Sequence, residues 1–156
     1  MGFATHLGPW LLGTLKSTTG TTAGTIRNLG ASIVAQQATI SQTDTGTTTA
    51  MALPAGAMIT SIQLITPTTA FSSGTITISI AGTTVVNGAS LPTALGVSAL
   101  TVATTGATIV NNVGSTDALV TYTLGTPVGS GAASTLVIAY VVRDPSGSSY
   151  PSVTQN

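Results

Sequence analysis

The amino-acid sequence predicts an all-β chain: a single β-sandwich, jelly-roll-like, with an extended N-terminal arm. Three observations lead there. Apolar residues alternate with Thr or Ser at period two in several short segments, the pattern of a strand with one face in a core. Turn-forming clusters separate such segments at intervals of roughly eight to ten residues, the spacing of sandwiches and jelly rolls. The chain also has no Glu and a single Lys, so a long surface helix lacks its usual residues and its i,i+4 ion pairs.

Residues 1–30 are set apart as an arm. Gly stands at positions 2, 8, 13, 20, 24 and 30 with Thr between, and no helical or strand period persists. Gly13-Thr14-Leu15-Lys16 is echoed by Gly24-Thr25-Ile26-Arg27, each copy ending in a cation. Phe3, Leu7, Trp10, Leu11 and Leu12 are the apolar anchors of this arm, and His6 is an anchor or hydrogen-bonding residue among them. Lys16 and Arg27 are expected to pair with acidic groups on a protein neighbour.

Residues 31–143 carry the β pattern. The segment 76–80 (Ile-Thr-Ile-Ser-Ile) alternates cleanly, 119–124 places Val120, Tyr122 and Leu124 on one face, and 136–142 is apolar on both faces and reads as a central strand. Further strands are expected at 32–40, 47–53, 57–66, 83–87, 97–104 and 107–111. Between them lie turn signals such as Pro54-Ala55-Gly56, Ser72-Ser73-Gly74, Asn87-Gly88, Thr105-Gly106 and Gly125-Thr126-Pro127. A short helical turn is expected around Leu91-Pro92-Thr93-Ala94-Leu95. Residues 144–156 return to Pro, Gly and Ser and read as a C-terminal tail.

Composition narrows function before any motif is considered. Charged residues are 4% of 156, the formal net charge is zero, and there is no Cys; a soluble domain carries about 25% charged residues. Thr, Ser, Ala and Gly together supply over half the chain. Three cations are too few for the phosphate contacts of nucleic-acid binding. The longest apolar run, 136–142, is far short of the about 20 residues that a spanning helix needs. Six aromatics leave no girdle for a membrane barrel. The N-terminus lacks the basic n-region of a signal peptide. With one His and no Cys a zinc site has no ligands to draw on, and no Gly-rich phosphate loop leads from a strand into a helix. No cofactor is expected.

Catalytic constellations fare no better. A Ser/His/Asp arrangement would have to use His6, in the arm. The three carboxylates are Asp44, Asp117 and Asp144, each in a turn context where Asp binds nearby backbone. The reading is that the chain is not an enzyme. One stripe stands out: Thr43, Thr45, Thr47 and Thr49 recur at every second residue. A flat ladder that orders water would need matching rows on neighbouring strands, and no such period runs along the chain. The stripe therefore reads as a hydroxyl-lined solvent or interface face. Near-zero charge removes the repulsion that keeps domains apart, so the chain is expected to work in an assembly.

The run Leu53-Pro54-Ala55-Gly56-Ala57-Met58-Ile59, followed by Ala70-Phe71, a strand over 75–80 and Gly82, resembles small β-sandwich virion proteins of tailed bacteriophages. The Gly/Thr-rich opening is similar to the start of such proteins. The closest role in that group is the head decoration, or cement, protein. The resemblance implies synthesis in the host cytoplasm, a place on the capsid surface of the virion, and partners limited to the major capsid protein and other copies of the chain, as homotrimer or homodimer, with no nucleic acid and no membrane. It brings no catalytic residues. It gives the arm a docking role, with Phe3, His6, Leu7, Trp10, Leu11, Leu12, Lys16 and Arg27 as interface residues. A tail, fibre or host-attachment module is the alternative role, and a hydrolase using His6 a more distant one.

Overall fold

A computed structural model describes residues 33–142 of the chain. Eight strands run in the order β1 (Val34–Ser41), β2 (Thr47–Leu53), β3 (Ala57–Thr66), β4 (Ser73–Ile80), β5 (Thr83–Ser90), β6 (Gly96–Ala99), β7 (Ala118–Val128) and β8 (Ala133–Val142). They form two antiparallel four-stranded sheets, ordered β1-β8-β3-β6 and β2-β7-β4-β5. The pairing is nested: β1 meets β8, β2 meets β7, β3 meets β6, and β4 meets β5. This is one long hairpin of strands, rolled up so that β8 also pairs with β3 and β7 with β4. That connectivity is the jelly roll. The arm (1–30) and the tail (144–156) lie outside the described residues.

The core is one cluster filled from both sheets. Ile40, Ile62, Leu64, Leu136 and Ile138 come from the first; Ile76, Ile78, Ile80, Val120 and Tyr122 come from the second. These are the period-two residues of their strands, and their alternates point away from the core. Phe71, in the loop before β4, is the largest fully buried side chain. A buried hydroxyl pair, Thr66 Oγ1 and Ser134 Oγ at 2.7 Å, satisfies the two polar side chains that the core encloses.

The innermost hairpin fixes the roll. Ile80 pairs with Thr83, leaving Ala81 and Gly82 as a two-residue turn with φ of 49° and 78°. Positive φ at both positions is the type I′ turn, whose twist matches the flanking strands. Ala81 occupies left-handed space without glycine's freedom. The Pro54-Ala55-Gly56 signal forms the β2–β3 turn as expected: Ala57 N–H donates to the Pro54 carbonyl at 3.1 Å, and Gly56 supplies the positive φ of 72°.

Several local expectations are corrected. Asn87-Gly88 is not a turn but a bulge inside β5: Ile76 pairs with Ala89 and Ile78 with Val86, so the two residues between oppose Thr77 alone. A second bulge at Val85 breaks the alternation, which is why the consecutive residues Val85 and Val86 are both buried. Gly125-Thr126-Pro127 likewise lies within β7, at a shift where Ser73 pairs with Val128 and Thr75 with Gly125; Pro is tolerated there because a bulge does not need its missing N–H.

The 97–104 strand is shorter, ending at Ala99. The 107–111 segment is a short helix, α1 (Ala107–Asn111), preceded by a 3-10 turn. Periodicity does not separate helix from strand over so few residues. What decides is packing: Gly106 lies so close to β5 that a Cβ there would be 2.6 Å from Val85 Cα, and α1 follows with Ile109 and Val110 against the core. The expected helical turn at 91–95 is absent. Its main-chain groups are used elsewhere: Leu91 N–H donates to the Gly74 carbonyl and the Pro92 carbonyl accepts from Phe71 N–H.

Two substitutions test this account. Ala81→Asn creates the favoured Asn-Gly turn and should stabilise the fold by roughly 0.5–1 kcal/mol. Gly106→Ala should destabilise it by about 1–3 kcal/mol through overpacking against Val85. Urea unfolding midpoints of the two variants check both signs.

Candidate functional site

Among the described residues the only carboxylates are Asp44 and Asp117, and each is committed to holding the chain. Asp44 follows β1 in the loop that crosses from one sheet to the other. Its Oδ2 accepts from Ser41 N–H at 2.7 Å and from the Tyr122 hydroxyl at 2.6 Å, while its own N–H donates to the Ser41 carbonyl at 3.0 Å. The turn role expected of it holds, and the bond to Tyr122 adds a tie across the sandwich that spacing could not show. Burial of the phenol, then the hydrogen bond to the Asp44 carboxylate and its charge, push the Tyr122 pKa up to about 12; a hydrogen bond with Thr48 opposes this. Asp117 Oδ1 accepts from Ala55 N–H at 3.0 Å, clamping the β2–β3 turn to the start of β7. Asp144, like the arm residues Phe3, His6, Leu7, Trp10, Leu11, Leu12, Lys16 and Arg27, lies outside the described residues.

No three metal-ligating side chains of the His, Cys, Asp or Glu types lie together among the described residues. An open groove of about 430 Å³ runs between β5 and residues 98–103, bordered by Asn87, Ser90, Ser98 and Thr101 with apolar Leu100 and Val102. It contains no titratable side chain. What this domain offers a partner is its two sheet faces, and they differ.

The outer face of the β2-β7-β4-β5 sheet is a hydroxyl surface. Thr47 pairs with Thr123, which pairs with Thr77. Beside that row, Thr49 pairs with Thr121, Thr121 with Ser79, and Ser79 with Thr84. The rows are internally bonded: Thr47 and Thr123 hydroxyls are 3.1 Å apart, and Thr77 Oγ1 accepts from Gly88 N–H in the bulge. Cross-strand rows therefore exist although the sequence has no matching period, because register is set by pairing and not by spacing. Of the sequence stripe only Thr47 and Thr49 take part; Thr43 and Thr45 stand exposed in the preceding turn. Adjacent strands twist by about 20–25°, so the array is curved rather than flat, which suits an interface face better than a lattice of ordered water.

The outer face of the β1-β8-β3-β6 sheet is uncharged and mixed, with Gln37 and Thr39 of β1 and Thr135 of β8 set among apolar residues. Val137 and Ala139 of β8 lie beside Gln63 and Ser61 of β3, flanked by Ile65, Met58 and the 64%-exposed Val97 of β6. An antiparallel sheet with one face to water normally reads apolar-in, polar-out. Here β8 is apolar on both faces, as its sequence predicts, and it is an interior strand. The described aromatic side chains, Phe71, Tyr122 and Tyr140, are all buried. Gln36 Nε2 donates to the Tyr140 hydroxyl at 3.0 Å.

No family model matches the chain, and no curated protein is similar to it. Among solved structures, a chain of the acidic stable capsid structure of Helicobacter pylori bacteriophage KHP30 is similar at 11% identity, over 70% of this chain and 87% of that one, with a TM-score of 0.45.

The Asp44–Tyr122 bond sets a pH dependence. A phenol whose pKa is raised on folding stabilises the fold fully below about pH 10 and loses that contribution as pH rises towards 12. Tyr122→Phe should cost about 1.5–3 kcal/mol near neutrality, the range for a bond to a charged acceptor. It should also flatten the decline between pH 10 and 12. Urea midpoints across that window check both.

Proposed function

We propose that the chain is a structural protein of a tailed-phage virion: a decoration, or cement, protein that binds the outer surface of the capsid and stabilises contacts between major capsid subunits. The observation that carries this reading is the pair of outer faces. One mixes aliphatic side chains with neutral Gln, Thr and Ser, the other is lined with hydroxyls, and neither bears a charge. Such surfaces are covered at low desolvation cost, because no ion has to leave water. A partner that binds the assembled shell and not its separated parts stabilises the shell by mass action, and repetition over a lattice adds avidity. The sequence resemblance over residues 53–82 points the same way. Jelly rolls also serve as lectins, but a glycan site usually displays aromatic rings, and the described ones are all buried.

In this reading the protein has no catalytic task. Its arm, residues 1–30, reaches a neighbouring subunit, with Trp10 and the flanking leucines as the residues that carry most of the binding. The copies on the shell associate with one another, and the β1-β8-β3-β6 face lies against it.

The test is co-sedimentation with empty capsids stripped of decoration, with purified tails alongside. Saturable binding to capsids at a fixed ratio to the major shell subunit is expected. Binding to tails alone would favour an attachment module, and binding to neither would overturn the reading. Deletion of residues 1–15 should abolish capsid binding while the β domain still folds. The pair Ser61→Lys and Gln63→Lys, on that same uncharged face, should weaken it by roughly tenfold or more by burying charge.

A further inference from the structure

Each sheet has two edges, and three of the four edge strands are blunted. β2 has a bulge between Thr49 and Met51, β5 has two bulges, and β6 is four residues long. These are the devices by which sheets avoid joining edge to edge. β1 has none of them. It pairs with β8 without a register shift from Val34 to Ser41, and its sequence VAQQATIS contains no Pro and no charge.

The free groups of β1 can be assigned. Gln42 N–H donates to the Ala132 carbonyl, one step beyond the Ser41–Ala133 pair. In an antiparallel ladder hydrogen-bonded pairs alternate, so the even-numbered residues of β1 point their main-chain groups at β8 and the odd-numbered ones point outward. At Ser41 the outward N–H and C=O are both taken by Asp44. Those of Ala35, Gln37 and Thr39 have no partner among the described residues.

We propose that this edge is a self-association surface, on which β1 of a second copy pairs antiparallel about a twofold axis through Gln37. Directly opposed residues must share a sheet face, so the axis has to pass through a residue. At Gln37 it centres the joint on 35–39, the residues whose outward groups are without a partner among the described residues. Val34, 44% exposed at the sheet corner, then meets Ile40 of the second copy on the core-facing side. Ala35 meets Thr39 on the outer side, and Gln37 meets its own copy. The outward groups of 35, 37 and 39 form about six main-chain hydrogen bonds across the joint, and the Asp44 cap ends the ladder at Thr39. The second copy is the fitting occupant because the same uncharged, unbulged edge is presented twice with nothing to repel it. The result is one eight-stranded sheet. This gives a surface to the self-association proposed above, but it does not depend on the shell.

The experiment uses the full chain with no capsid present, so it fails or succeeds independently of shell binding. Sedimentation velocity across the micromolar range should show a dimer. Gln37→Lys places like charges face to face and should weaken the dimer by at least about tenfold, with an unchanged circular dichroism spectrum and melting temperature. Gln37→Cys, in a chain with no other Cys, should cross-link copies on mild oxidation, since hydrogen-bonded antiparallel pairs have Cα atoms about 5.5 Å apart. Val97→Cys, on the β6 edge, should not. A monomer at every concentration, an assembly untouched by Gln37→Lys, or cross-linking through Val97→Cys in place of Gln37→Cys would each overturn the proposal.

Discussion

Insertion of β8 between β1 and β3 is the constraint on which the rest of the structure depends. Its inner residues Leu136, Ile138 and Tyr140 complete the core that the other strands leave open. Its backbone satisfies both neighbours, and its Ser134 closes the buried pair with Thr66. Since β8 is the last strand described, the first strand finds its partner only when the far end of the domain arrives. Folding must therefore close long loops before those contacts form, which makes this topology slow and leaves β1 exposed in the meantime. The tight β4–β5 hairpin, closed by two residues, is the local element from which the nested pairing can grow.

Around the apolar core, the side-chain hydrogen bonds among the described residues join mostly neutral polar groups. Thr47 bonds Thr123, Gln36 bonds Tyr140 and Thr–Ser hydroxyl pairs recur, and the two described carboxylates are spent on main-chain amides and one phenol. That choice has a functional consequence. A surface of hydroxyls and methyls can be buried against another protein without stranding a charge, and it provides no strong field to keep copies apart. Stability and association draw on the same property. Low charge in a small domain is a liability when the domain is alone and an advantage when it is packed in an assembly.

The fold was largely legible in the sequence because strands announce themselves locally. Each of the eight falls on a segment whose Thr/Ile/Val alternation or turn boundaries are readable, and the two-sided apolar character of 136–142 correctly marks an interior strand. The misses are places where tertiary contacts outweigh local pattern. Gly106 against Val85 selects a helix for 107–111, and a bulge opposite Thr77 takes Asn87-Gly88 into β5 in place of a turn. The hydroxyl rows were legible only in pieces. Thr47/Thr49, Thr75/Thr77/Ser79 and Thr121/Thr123 are each visible, but their alignment follows from pairings between residues more than forty positions apart. The Tyr122–Asp44 bond and the open edge of β1 are invisible for the same reason. The arm residues, on which the sequence reading placed most of the binding, lie outside the described residues.

The central claim is that this protein binds by burying an uncharged surface, and the salt dependence of its affinity for stripped capsids tests that most directly. The account predicts saturable binding with a shallow salt dependence, no steeper than the two arm cations Lys16 and Arg27 would give, because the described sheet faces carry no charge to screen. Affinity that falls steeply with added salt would show an electrostatic contact and contradict the account.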